Sequence, residues 1–186
     1  MKSKILGLLA AGLLAVSISA QAYTDHTYDV SGILSNNGAG DPINVVDTLN
    51  IGANGRVIGI GWDVTLFADS PSWLEEMVVR FGSSSAWLFD LVPGAGDNIA
   101  GTATYNSGGV MDLVGLSSDF SVGADGLLRM EFFEFFDDYL DDWDGIWESG
   151  ALTIRVEGES VPEPGSLALL GLALAGLGLS RRRKTA

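Results

Sequence analysis

A dense group of carboxylates stands in the last third of the chain. Six acidic residues fall within twelve positions: Asp137, Asp138, Asp141, Asp142, Asp144 and Glu148. Such charges repel one another unless water or a cation neutralises them, and Ca²⁺ takes about six to eight oxygen ligands. The stretch is not an EF-hand, because Leu140 and Ala151 occupy the first and last ligand positions of that pattern. Two interpretations stay open: a calcium site, and a solvated acidic loop that aids solubility.

Aromatic residues are interleaved with these acids. Tyr139, Trp143 and Trp147 could stack on sugar rings while neighbouring carboxylates accept hydrogen bonds from the hydroxyls. Aromatic residues at this density more commonly belong to a hydrophobic core. A calcium-assisted polysaccharide-binding module is therefore one hypothesis for this region.

Signatures of catalysis are sparse. His26 is the single histidine, and no Gly-x-Ser-x-Gly elbow accompanies it. The absence of cysteine excludes disulfides, thiol catalysis and thiolate metal sites. Among so many carboxylates some pair lies close by chance, so glycoside hydrolysis gains little support. We predict that the protein is not an enzyme.

The N-terminus has the three parts of a secretory signal peptide. Lys2 and Lys4 precede an apolar run over residues 5–18, and Ala20-Gln21-Ala22 forms a cleavage site of small residues. We therefore predict a signal peptide at residues 1–22 and a mature chain that begins at Tyr23; an uncleaved membrane anchor is the alternative, which the short apolar run disfavours.

The C-terminus also has three parts. Val161, Pro162, Glu163 and Pro164 come first, and the two prolines require the folded domain to end before them. Residues 165–180 follow without a charge, and these 16 residues are fewer than the ~20 of a typical membrane-spanning helix. The basic residues Arg181, Arg182, Arg183 and Lys184 would then stay on the cytoplasmic side.

This order of parts resembles the PEP-CTERM sorting signal of Gram-negative bacteria, over residues 161–186. The resemblance implies export, transient retention in the inner membrane and processing by an exosortase, which is a membrane cysteine protease. It also implies association with exopolysaccharide and the biofilm matrix, and release to the cell surface or that matrix. An ordinary C-terminal membrane anchor is the alternative interpretation.

The domain between the two ends, residues 23–160, is strongly acidic. It holds four arginines, no lysine and 23 carboxylates, so its formal charge is −19. Nucleic acid is excluded as a natural partner, since its phosphates require basic patches. Divalent cations, neutral sugars and basic partners stay open.

Alternating apolar residues and frequent turn signals predict an all-β fold, an antiparallel β-sandwich of the jelly-roll kind. We expect strands at residues 27–34, 45–51, 57–67, 73–81, 86–92, 102–105, 120–122, 127–133 and 151–157, and residues 110–113 form a further short apolar run. Residues 72–75 also match a capping box, so a short helical turn is the alternative at the start of the strand over residues 73–81. Residues 53–56 and 123–126 have sequences typical of hairpin turns.

Residues 131–147 fit both a helix and a strand. We predict a strand through about Phe136 and then an acidic loop, because carboxylates near its end would oppose a helix dipole. The closing segment, with Gly145, Trp147 and the strand that follows, resembles that of P-domain-like or galactose-binding-like jelly rolls.

Overall fold

The structure, a computed structural model, describes residues 22–138 and 142–158, together with Gly171 and Leu174. Residues Tyr23–Gly158 form one compact unit. Nearly all of the predicted signal peptide and sorting tail therefore lies outside the described residues. Within the part of the chain that is described, no helix is long and apolar enough to cross a membrane.

The described residues form two antiparallel sheets. The first sheet has the order β1 (Tyr23–Asp29), β11 (Gly145–Glu157), β4 (Arg56–Ala68) and β7 (Gly101–Asn106). Three short strands extend it: β2 (Ile33–Ser35) pairs with β11, while β8 (Met111–Asp112) and β9 (Phe120–Ser121) pair with β4. The second sheet has the order β3 (Val45–Asn50), β10 (Leu127–Glu134), β5 (Met77–Gly82) and β6 (Trp87–Leu91).

The order of the eight longest strands defines the topology. Numbered one to eight along the chain, they read 1-8-3-6 in the first sheet and 2-7-4-5 in the second. This is the strand order of a jelly roll. The prediction of an all-β sandwich is confirmed.

A single hydrophobic core fills the space between the sheets. Leu152, Ile154 and Val156 of β11 face it from the first sheet, since alternate residues of a strand point to the same side. Phe132 of β10 faces it from the second sheet and meets Trp147 edge-on, with ring centroids 5.2 Å apart. Each fully buried side chain of this kind contributes about 1.5–3 kcal/mol.

The two predicted hairpins are wrong, although both turns form. Residues 53–56 join β3 to β4, and residues 123–126 join β9 to β10, so each turn passes from one sheet to the other. The two turns contact each other through a 2.9 Å hydrogen bond from the Asn54 N–H to the Gly123 carbonyl. A turn sequence reverses the chain, but the packing of the strands decides which of them pair.

The predicted strand over residues 27–34 is divided. β1 starts earlier, at Tyr23, and the chain then turns at Gly32, whose φ of +81° favours glycine. The predicted strand over residues 73–81 begins only at Met77, after a 3-10 turn at Leu74–Glu76 in which the Glu76 carboxylate accepts a hydrogen bond from the Trp73 N–H.

The ambiguous stretch over residues 131–147 is a strand only as far as Glu134. Phe135 and Phe136 lie beyond it as exposed residues, so the predicted extension of the strand to Phe136 is wrong. The Phe135 N–H still donates to the Glu76 carbonyl at 2.8 Å, in register with the pairing of Glu134 and Met77, and the chain leaves the sheet after this bond. Strand structure resumes at Gly145.

Candidate functional site: the acidic end of the sandwich

Four loops meet at one end of the sandwich. Strands β2, β4, β6 and β10 finish at this end, and β3, β5, β7 and β11 begin there. The loops cover residues 36–44, 69–76, 92–100 and 135–144, and we call them together the acidic end. Their sequences carry ten carboxylates and no lysine, arginine or histidine.

Glu134 lies at the base of the acidic end with its side chain fully buried. Neither carboxylate oxygen makes a hydrogen bond within the described residues; the Ser35 hydroxyl lies beside it without reaching hydrogen-bond geometry. Burial raises the pKa of Glu134 to about 9; Ser35 opposes this shift, while the charges of Asp144, Glu76 and Asp138 add to it. Glu134 is therefore protonated near neutral pH.

Asp144 is also fully buried, beside Glu134. The Ser72 Oγ lies 3.0 Å from Asp144 Oδ1 and 3.0 Å from Asp138 Oδ2, so one hydroxyl bridges the two carboxyl groups. A hydroxyl has a single hydrogen, so it can donate to only one of them at a time.

Glu76 is the fourth carboxyl group, beside Glu134, Asp144 and Asp138, and it lies on their solvent side. Burial raises the pKa of Glu76, the hydrogen bond from the Trp73 N–H opposes this, and the charges of Asp138, Glu75 and Asp144 raise it further. The acidic end thus gathers four carboxyl groups around two serine hydroxyls.

The four arginines in the part of the chain that the structure describes all have partners outside this group. Three form ion pairs: Arg56 with Asp119 and Glu157, Arg80 with Asp90, and Arg155 with Asp25. Arg129 lies over the ring of Trp87 at 4.3 Å. Among the described residues no arginine therefore offsets the negative charge of the acidic end, and protons or a cation from solution can reduce it.

The structure brings together only two of the six residues predicted to bind calcium, Asp138 and Asp144. Asp137 and Asp142 are exposed in the loop, Glu148 is exposed in β11, and Asp141 lies outside the described residues. Among the residues with described placement, no three acidic or histidine side chains are close enough to hold a metal ion. Sequence reasoning missed Glu134, Glu76, Ser72 and Ser35, which are distant along the chain.

The three residues predicted to stack on sugar rings differ in how far the structure buries them. Trp147 is fully buried against Phe132, so its predicted stacking on sugar is wrong in this structure: it is a core residue. Trp143 is half-buried and packs on Phe67 with ring centroids 6.2 Å apart. Tyr139 lies outside the described residues.

Neither feature that could suggest catalysis forms a recognisable active site. His26 lies within β1, opposite Ile154 of β11. A cavity of about 220 Å³ on the first sheet is lined by residues that include Asp63, Asn106 and Ser107. The Ser107 Oγ contacts backbone atoms of Trp62 and Gly109 at 2.6–3.1 Å, and no basic side chain lines the cavity to activate it.

The tail carries the clearest functional signal of the chain. Residues 160–184 are a PEP-CTERM protein-sorting motif. The match includes the predicted sorting residues Val161 to Pro164 and the basic residues Arg181 to Lys184, which lie outside the described residues. The predicted resemblance is confirmed. The motif supports export, sorting through the C-terminus, transient membrane anchoring before release, and processing by an exosortase.

The domain has no comparably informative relative. Among curated protein sequences, none matches the chain. Similar solved structures include the VP2 subviral particle of infectious bursal disease virus, at 13% identity and a TM-score of 0.39, covering 73% of this chain and 33% of that one. Turnip yellow mosaic virus is another, at 9% identity and a TM-score of 0.24, covering 87% and 94% of the two chains. The chain thus spans about a third of the VP2 structure, and neither likeness carries an argument about function.

Proposed function

We propose that this chain is a non-catalytic protein of the cell surface or exopolysaccharide matrix of a Gram-negative bacterium. The PEP-CTERM motif at residues 160–184 carries the proposal, because it couples export to release by an exosortase. The domain suits such a destination: its formal charge of −19 keeps it soluble, and the lack of cysteine makes its folding independent of disulfides.

Processing of the tail is the test. The full chain is expressed in a PEP-CTERM host with and without its exosortase, and the mass of the protein is measured. We expect a shorter, released form only when the exosortase is present. A triple substitution of Pro162, Glu163 and Pro164 by alanine should leave the long, membrane-retained form. Equal masses in both hosts would contradict the proposal.

We propose calcium-assisted polysaccharide binding as a second candidate function. The Asp138–Ser72–Asp144 bridge and the high density of carboxylates at the acidic end favour it. Because no preformed metal group exists among the described residues, calcium would have to draw these carboxylates together.

Thermal unfolding with EDTA and then with calcium tests this second function. A cation that binds only the folded state stabilises it by ~2.7 kcal/mol at a hundredfold excess over its dissociation constant. The stabilisation should vanish in Asp138→Asn and Asp144→Asn and persist in Asp63→Asn, which removes an exposed carboxylate of the first sheet. An unchanged melting temperature would exclude calcium.

A further inference from the structure

The acidic end also exposes large apolar side chains. Five of them stand on its four loops, and we call them the apolar rim: Ile43 (47% exposed), Trp73 (43%), Ile99 (66%), Phe135 (74%) and Phe136 (65%). Apolar residues scattered singly over a surface need no explanation, whereas a group of them at one end of a domain is a candidate interaction surface.

Backbone hydrogen bonds tie most of the rim into one structure. The Leu74 N–H, next to Trp73, donates to the Ile99 carbonyl at 3.2 Å. The Phe135 N–H donates to the Glu76 carbonyl at 2.8 Å, and the Glu76 carboxylate accepts from the Trp73 N–H at 2.8 Å. The loops that carry Trp73, Ile99 and Phe135 are therefore direct neighbours.

The charge around the rim restricts the ligand. Ten carboxylates and no basic residue stand in the four loops, so the surface repels uronic acids, nucleic acids and anionic lipid headgroups. A second copy of the chain is disfavoured for the same reason, because it would bring two such ends together. The complementary partner presents positive charge together with apolar faces.

We propose that the apolar rim and the carboxylates beside it bind a polysaccharide that carries protonated amino groups. The apolar faces of pyranose rings would pack on Phe135, Phe136 and Trp73, and the ammonium groups would pair with exposed carboxylates such as Asp137 and Asp138. This inference rests on the proposed delivery to the matrix and specifies the ligand that the domain meets there.

The test is retention of the full chain, purified in mild detergent, on chitosan beads at mildly acidic pH and physiological ionic strength. The double variant Phe135→Ala/Phe136→Ala should bind about tenfold more weakly, because it loses two aromatic faces. Val114→Ala/Leu116→Ala is the matched control: it also removes two exposed apolar side chains, from outside the acidic end, and keeps the same net charge. Unchanged melting temperatures would show that both variants fold.

Beads of dextran, alginate and polylysine separate the explanations. We expect no retention on dextran or alginate, and equal retention of all variants on polylysine. If the double variant holds chitosan as tightly as the parent, the interaction is ion exchange and the inference is wrong. Equal retention on dextran, or none on chitosan, would also overturn it. Because tail processing is measured separately, none of these outcomes bears on the sorting proposal.

Discussion

Replacing Glu134 by glutamine should make the domain more stable at neutral and alkaline pH. The pKa of this buried carboxyl is about 9 in the folded chain, against an ordinary value of 4.5. Between these values the folded state holds a proton that the unfolded state has released. The stability that this group contributes is therefore fully present below about pH 4.5 and is lost as the pH rises towards about 9.

The size of the effect follows from the same two pKa values. Each pH unit between about 4.5 and 9 lowers the free energy of unfolding by ~1.4 kcal/mol. Ionisation of Glu134 therefore lowers this free energy by ~3 kcal/mol at pH 7 and by ~6 kcal/mol at about pH 9. Glutamine resembles the protonated carboxyl in shape but takes up no proton. Glu134→Gln should thus gain up to ~3 kcal/mol over the parent at pH 7, and this advantage should disappear near pH 4.5.

Urea unfolding of the parent and the variant across this pH range measures the difference directly. Glu148→Gln is the matched control, because it makes the same change at an exposed position of β11 and should leave the pH dependence of the parent unchanged. If the stabilities of parent and Glu134→Gln run parallel from acid to alkaline pH, Glu134 is not protonated in the folded state, and our account of the acidic end fails.

Three further substitutions test the fold and the site. Trp147→Ala should destabilise the domain by about 3–5 kcal/mol in thermal unfolding, because it leaves a cavity beside Phe132, and a loss near zero would contradict the assignment of Trp147 to the core. Gly150→Ala should lower the free energy of unfolding by about 1–3 kcal/mol in the same assay, because φ at Gly150 is +111° and a Cβ would collide with the Asp63 carbonyl. An alanine variant as stable as the parent would refute this tight contact. Ser72→Ala should lower the free energy of unfolding by about 1–3 kcal/mol in urea at pH 7, because the hydroxyl that bridges Asp138 and Asp144 is lost. A variant as stable as the parent would show that this bridge does not stabilise the domain.

The strands and the faces that they bury could be predicted from local sequence. Leu152, Ile154 and Val156 alternate with polar residues, and this period of two alone indicates a strand with one buried side. The pairing of strands could not be predicted in this way. Asn54-Gly55 predicts a hairpin, yet β3 pairs with β10 and β4 with β11, because contacts with strands distant in the sequence decide the outcome.

The candidate site could likewise be predicted only in part from local sequence. The density of carboxylates after Glu134 is visible in the sequence, but the group around Glu134 also includes Ser35, Ser72, Glu76 and Asp144, which the topology collects from separate parts of the chain. One local signal existed: Glu134 stands among four phenylalanines, and a carboxylate within so apolar a run indicates a buried acid. Trp143 and Trp147 look alike in sequence, and only the start of β11 between them places the second in the core.

Protonation, calcium binding and binding of an amino-sugar polymer can each reduce the negative charge of the acidic end, and their effects change differently with pH. Protonation of Glu134 stabilises the domain at low pH and is lost as the pH rises. Calcium would act in the opposite direction, because its carboxylate ligands must be deprotonated. An amino-sugar polymer needs ionised carboxylates on the protein and protonated amines on the ligand, so its binding should pass through a maximum at intermediate pH and weaken with salt. We would therefore measure stability, the response to calcium and retention on chitosan for the same protein over one series of pH values. These measurements distinguish a protonated buried carboxyl group, a cation site and a polysaccharide-binding surface.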